Sequence, residues 1–342
     1  MEPVTDDPER PWYEPGVHRV APEVYRIPLP MPGDGLKAVN AYALTQPDGL
    51  RVIDPGVGAE DAQVALQRAL GGLGAGTVDI QEVLVTHVHY DHYAQAILLR
   101  RRHGMRVGLG RHEEASVDVL GQPEGPQTTR RKQLRRFGSE KLAKMAADQR
   151  RNSETDGLLA EHPDHWIEDQ QVVAGGSLVA LHTPGHTVGH VVFRDEGRSM
   201  LFAGDHVLPT ITPSIGFEPV NAPLPLAAYL RSLHLVRALP DTRLLPAHGS
   251  VTASVHARVD ELVDHHAVRL EAAIQAVKQG ASTGLEVAQQ LRWTRHERRL
   301  DELDPFNQML AILETGYHLD LLVERGALTC TLEQDVALYA LG

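Results

Sequence analysis

Apolar positions in the first half of the chain follow two periods in turn. "EVYRIPLP" (23–30) and "AVNAYALT" (38–45) carry the alternation and the β-branched and aromatic content of strands, and "QPDGL" supplies a hairpin turn before "RVIDPG", a short apolar strand stopped by Pro and Gly. "AEDAQVALQRALGGLG" (59–74) changes to helical spacing, with Val64, Leu66, Ala69 and Leu70 on one face and glycines as the stop signal. "EVLVT" (82–86) is the next strand, and "DHYAQAILLRRRHG" (91–104) reads as a helix. From about 111 to 165 the pattern turns polar, basic and helix-favouring. Strands return in "QVVAGGSLVALHTPGH", "HVVFRDEGRSMLFAGD" and "TRLLPAHG". The region from 256 on is helical by pattern, with an apolar stripe at Val259, Leu262, Val263, Leu270 and Ile274. A first domain over 1–255, with a helical insertion at about 111–165, and a helical second domain over 256–342 are the expected division.

Composition narrows the chemistry. The 342 residues carry a net charge of −12, which disfavours general binding to nucleic acid or acidic membranes. Cys330 is the single cysteine, so thiolate metal ligation and a disulfide framework are not expected. The first twenty residues lack a basic stretch followed by an apolar one, and no apolar run of about 18 residues occurs, so a cytoplasmic protein is expected.

Within six positions of "THVHYDH" stand His87, His89, Asp91 and His92, at the end of a buried strand. Imidazoles crowded there need partners for their polar nitrogens, and a metal is the economical one. Residues two apart in an extended stretch point the same way, so His87 and His89 can grip one ion while Asp91 and His92 turn toward a second. His186 in "TPGHT", Asp205 in "FAGDH" and His248 in "PAHG" also end strands. That assigns His87, His89 and His186 to one ion, Asp91, His92 and His248 to the other, and Asp205 to both. Nitrogen and oxygen donors suit two divalent ions, Zn2+ first, with Fe or Mn as alternatives.

Taken in order, these blocks resemble the metallo-β-lactamase superfamily over roughly residues 20–255, at all seven ligand positions and at "VIDPG" ahead of them. The resemblance implies an α+β chain built as an αββα sandwich with the dinuclear site at the edge of the two sheets. It implies hydrolysis of an ester, thioester or lactone by a metal-bridging hydroxide. "HTPGHTVGH" is similar to the glyoxalase II and lactonase branch, with no Cys ligand, and His89 stands where flavodiiron proteins need Glu. "ILETGYHLDLLVERGAL" (312–328) resembles the winged-helix tail of one lactamase-like subgroup.

Within that frame Asp91 is expected to move the nucleophile's proton to the leaving group. Asp54 is expected to support the motif loop, and Tyr93 and His206 are candidates to bind the substrate's oxygen. The segment 130–151 carries a net +7. Its ordinary reading is a solvated helix face; its functional reading is a clamp, with Arg131 and Arg135, for an anionic, acyl-CoA-like small molecule. An insertion of that kind above the site is placed to act as a lid. A homodimer is an option for the assembly. A nuclease or phosphodiesterase using the same site, and a mononuclear iron sulfur-dioxygenase-like enzyme, are the alternative functions.

Overall fold

The computed structural model describes residues 2–31, 35–122, 125–148, 157–220 and 222–342. Of the basic run, Arg150 and Arg151 lie outside the described residues, as does the side chain of Asp148. Two sheets lie face to face. The first has eight strands in sequence order: β1 (Val4–Thr5), β2 (His18–Ala21), β3 (Val24–Pro30), β4 (Ala38–Gln46), β5 (Gly49–Ile53), β6 (Ile80–Val85), β7 (Arg106–Gly110) and β8 (His165–Ile167). It is antiparallel from β2 to β5 and parallel from β5 to β8. The second has the order β13 (Arg243–Pro246), β12 (Met200–Gly204), β11 (Val191–Asp195), β10 (Leu178–His182) and β9 (Val172–Val173).

The two-residue period of each strand decides which core its side chains enter. In β4, Val39, Ala41 and Ala43 face an outer core while Tyr42 and Leu44 face the other sheet. In β6, Val83 and Val85 point outward and Leu84 inward. The second sheet repeats the rule, with Met200 and Phe202 turned to the first sheet and Leu201 and Ala203 away from it. Both sheets are therefore buried on two faces. Helices α1 (Glu60–Gly72), α2 (Tyr90–His103) and α3 (Glu114–Leu120) cover the first through Leu66, Leu70, Ile97, Leu99 and Val117. The four layers expected for the sandwich are present.

The inserted segment forms α3, α4 (Gly125–Arg136) and α5 (Glu140–Asp148), and it ends by adding β8 to the sheet edge through parallel pairing of Gly108 with His165. Beyond β12, α6 (Pro225–Ala238) and α7 (Val255–Lys278) cover the second sheet. α8 (Gly284–Gln290), α9 (Pro305–Glu324) and the hairpin of β14 (Leu328–Glu333) and β15 (Val336–Leu341) follow. Helices α7, α8 and α9 each start on a residue built to cap it. Ser254 accepts from the Ala257 N–H, Thr283 and Glu286 form a reciprocal capping box, and Asp304 accepts from Phe306 and Asn307 ahead of Pro305.

One hydrophobic cluster spans this half of the molecule. It joins Leu134 and Phe137 of the insertion to Leu201 and Leu244 of the second sheet and to Ile312, Leu319 and Tyr339 near the carboxyl end. Phe137 sits in a slot between two glycines, since a Cβ on Gly284 or on Gly316 would lie 2.9 or 2.3 Å from its Cβ or ring carbons. Beside it, Arg136 donates two hydrogen bonds to Asp320, at 2.7 and 2.8 Å. Insertion and carboxyl-terminal helices are thus packed as one body with the second sheet. Among the described residues, no helix is long and apolar enough to cross a membrane.

Candidate metal centre

The seven expected ligands arrive from strand ends on one edge of the sandwich. β6 delivers Thr86 and His87, and His89 has extended φ/ψ of −64° and 154° as the residue that caps α2. Asp91 and His92 therefore fall in the first helical turn. His186 lies in the loop from β10 to β11, closed by the Thr183 N–H donating to the His190 carbonyl and the Gly185 N–H donating to the Thr187 carbonyl. Asp205 follows β12 and His248 follows β13. At Gly204 (φ +50°) a side chain would sit 2.6 Å from Thr86 Oγ1 and 2.8 Å from His190 Nε2, so the two sheets meet here only because the residue has no Cβ.

Hydrogen bonds on the outer side of each ring fix which nitrogen faces inward. His186 Nδ1 donates to the Ser214 carbonyl at 2.9 Å, and His248 Nδ1 donates to the Ala38 carbonyl at 2.8 Å. A carbonyl only accepts, so both Nε2 atoms carry lone pairs. Thr86 Oγ1 donates to Asp54 Oδ2 at 2.8 Å and accepts from His87 Nδ1 at 3.1 Å, which gives His87 the same tautomer. His92 Nδ1 lies 3.0 Å from Asp54 Oδ2, at an angle poor for a hydrogen bond. On the inner side, His87 Nε2 and His186 Nε2 both approach His89 Nδ1, at 3.0 and 3.1 Å. Two lone pairs aimed at one imidazole nitrogen cannot both be satisfied by its single proton, whereas a cation between the three nitrogens satisfies all of them.

Asp205 spans the gap to the second group. Its Oδ2 is 3.5 Å from His186 Nε2, while its Oδ1 is 3.7 Å from His92 Nε2 and 3.4 Å from His248 Nε2. Asp91 Oδ2 is 3.3 Å from His248 Nε2 and 3.5 Å from His92 Nε2. The sets His87–His89–His186 and Asp91–His92–His248 are each close enough to hold one ion. His92 Nε2, His248 Nε2 and Asp205 Oδ1 are buried without a hydrogen-bond partner among the described residues, as expected of donors shaped for cations. The residues present fit a pair of divalent ions.

The two halves differ electrostatically. Burial and neighbouring imidazoles hold His87 well below its ordinary pKa, and burial pushes His89 down to about 3 and His186 down to about 4. Those three are neutral and free to ligate at neutral pH. Burial opposes charge on His92 and His248 too, but Asp91 and Asp205, joined at His92 by Asp54, outweigh it and raise both pKa values.

Asp54 reaches the strand end ahead of His87: its two oxygens accept from the Thr86 N–H and hydroxyl, each at 2.8 Å. Asp54→Ala is expected to weaken metal binding roughly 10- to 100-fold, read by competition with a chromophoric chelator. Two supports went unread in the sequence. His190, fully buried, accepts from the Asp205 N–H at 3.2 Å while its Nδ1 meets Thr183 Oγ1 at 3.0 Å. The last His of "HTPGHTVGH" was its only signal. Glu113, also fully buried, accepts from the hydroxyl of Thr187, beside His186.

Burial pushes the Glu113 carboxyl up to about 7, with the Thr187 hydroxyl pulling back. A carboxyl raised in the fold binds more protons there than in the unfolded chain, so its stabilisation is complete below the unfolded pKa near 4.5 and is lost as pH rises through 7. Glu113→Gln is expected to remove about 3 kcal/mol of that pH dependence, seen as a smaller drop in urea midpoint between pH 5 and pH 8.

The remaining expected contacts are dispersed. Tyr93 is fully buried in the outer core and its hydroxyl donates to the Glu161 carbonyl at 2.6 Å. His206 is buried between His190 and Tyr229, with ring centroids 6.0 and 5.3 Å away. Arg135 pairs with Glu140 at 2.9 Å, and Arg131 is half-buried. Among the described residues, none of the four side chains makes a hydrogen bond, an ion pair or a ring contact with the seven expected ligands.

Comparison with known proteins agrees with this geometry. The chain is 26% identical over 322 residues to the "Probable metallo-hydrolase YqjP" of Bacillus subtilis, covering 89% of this chain and 92% of that one. Over 161 residues, 44% of this chain and 50% of the relative, it is 33% identical to an "Atrochrysone carboxyl ACP thioesterase" of Aspergillus chevalieri. The crystal structure of a metallo-beta-lactamase family protein from Thermus thermophilus superposes with a TM-score of 0.79 at 27% identity, over 95% of this chain and all of that one. The description of the metallo-beta-lactamase superfamily matches residues 34–248, more than half of the sequence and the whole span of the seven converging side chains, and the chain belongs to that superfamily.

Proposed function

We propose that the protein hydrolyses a carboxylic ester, thioester or lactone at a dinuclear centre formed by His87, His89 and His186 on one side and Asp91, His92 and His248 on the other, with Asp205 between them. The observation that carries this reading is the pair of inward lone pairs, from His87 and His186, meeting at His89 Nδ1. Two divalent ions held there, Zn2+ first and Fe or Mn as alternatives, would bring the pKa of a water from about 15.7 toward about 7 and polarise an acyl oxygen.

The chain's own groups supply order and proton transfer. Asp205 presents one oxygen to each half, and His190 holds its backbone N–H in place. Asp91, buried beside His92 and His248, is placed to take a proton at a carboxylate oxygen and deliver it to the leaving alcohol or thiol. Outer hydrogen bonds to Ser214, Ala38 and Thr86 prevent the rings from turning as charge builds up. A relative named as a thioesterase supports an acyl substrate, with thioesters the first class to try.

The test uses metal-loaded protein on a panel of aryl esters, acyl thioesters and lactones, beside His87→Ala. Turnover of at least one class, lost in the variant, is expected. No turnover on any class, or equal turnover by His87→Ala, overturns the reading.

A further inference from the structure

The inserted helix α4 places its cations in unequal surroundings. Arg135 is neutralised by Glu140 and Arg136 by Asp320. Arg130 differs: its guanidinium carbon lies 3.9 Å from the centroid of the Phe217 ring, and among the described residues no carboxylate is within ion-pair reach of it. Burial lowers its pKa to about 10, with no acidic neighbour opposing the shift. Among the described residues its Nε is buried without a hydrogen-bond partner, as is that of Arg131 in the next position.

Phe217 connects this cation to the metal centre. The ring packs edge-on against His89, with centroids 6.3 Å apart, and against Phe306 of α9 at 5.3 Å. The two contacts in series, 3.9 and 6.3 Å, put the guanidinium carbon no more than about 10 Å from a ligand of the first ion. A guanidinium laid flat on a ring keeps its N–H edge free to bind in the plane, the geometry that grips a carboxylate or phosphate with two parallel hydrogen bonds. Removing a cation from water without a counter-charge is costly, and an anion arriving with the substrate would offset that cost.

We propose that Arg130 is the anion-recognition residue of this site, selecting substrates that carry an anionic oxygen group on one side of the acyl bond. The proposal rests on the hydrolase reading above. It moves the recognition expected of Arg131 and Arg135 to the neighbour whose ring partner touches a metal ligand. The anion has two sources, a carboxylate in the acyl part or a phosphate in the thiol carrier.

The experiment uses full-length, metal-loaded wild type, Arg130→Met, which keeps an apolar stem on Phe217, and Arg130→Lys, which keeps the charge. Three thioesters are compared: succinyl-N-acetylcysteamine, butyryl-N-acetylcysteamine and butyryl-CoA. Relative to the neutral thioester, kcat/KM for one anionic substrate is expected to fall roughly 10- to 100-fold further in Arg130→Met, with partial recovery in Arg130→Lys. A loss confined to the succinyl compound places the anion in the acyl part; one confined to butyryl-CoA places it in the carrier. Equal ratios in wild type and Arg130→Met overturn the proposal. Calorimetric binding of succinate and of coenzyme A to the same proteins separates the two readings. No turnover with Arg130-dependent binding overturns the hydrolase alone, whereas binding of neither probe, or equal binding by Arg130→Met, overturns the anion site.

Discussion

His186→Ala is expected to take bound metal from two ions to one per chain, by elemental analysis, and to cut kcat/KM on the best acyl substrate by at least about 100-fold, the loss that even supporting partners of a metal ligand can bring. The imidazole it removes is the third corner of the His87–His89–His186 group and a neighbour of Asp205 Oδ2. Two nitrogens and one carboxylate oxygen would remain for the first ion, against the four donors zinc commonly takes. The Asp91–His92–His248 group keeps its own geometry, so one ion stays. His186 sits in a loop outside the hydrophobic clusters, and the far-UV spectrum should match wild type. Retention of two ions with full activity would refute the assignment.

Phe137→Ala is expected to cost about 3–5 kcal/mol of unfolding free energy, the usual range for emptying a fully buried aromatic site. The slot cannot collapse around alanine by moving side chains, because two of its walls, at Gly284 and Gly316, are backbone. The cost should thus lie toward the upper end. Urea unfolding monitored by fluorescence and by circular dichroism is the measurement, and a loss under about 1 kcal/mol would show that α4 is not anchored as described. Because α4 also carries Arg130, the variant should lose discrimination between anionic and neutral thioesters before it loses turnover of either.

Local chemistry explains which parts of this molecule could be read in advance. Strands such as Val24–Pro30 and Ala38–Gln46 announce themselves through alternation and turn residues, both encoded within a few positions. α2 also follows the helix read over 91–104, and in the structure Gly104 ends it with φ 77°. The seven expected ligands stand out in the sequence because metal coordination restricts residue type so tightly that order alone carries information. Supports of the site were not. Glu113 and His190 matter through partners 74 and 15 positions away, and of the two only His190 carries a local mark, as the last His of "HTPGHTVGH". Among the arginines of α4, periodicity cannot say which one meets an acid: Arg136 finds Asp320, 184 positions on, and Arg130 finds an aromatic ring instead. The division near residue 255 reflects a change of pattern along the chain, while the side chains on both sides of it enter the same cluster.

The outward anchors of the imidazoles have a further consequence. Ser214 and Ala38 hold His186 and His248 by main-chain carbonyls, and Thr86 holds His87 by a hydroxyl that Asp54 secures in turn. All of these contacts belong to the polypeptide alone, so the orientation of each ring is written into the chain itself. A substitution that removes one of these outer contacts is expected to let its ring turn, so the orientation of each imidazole depends on residues that never meet the ion.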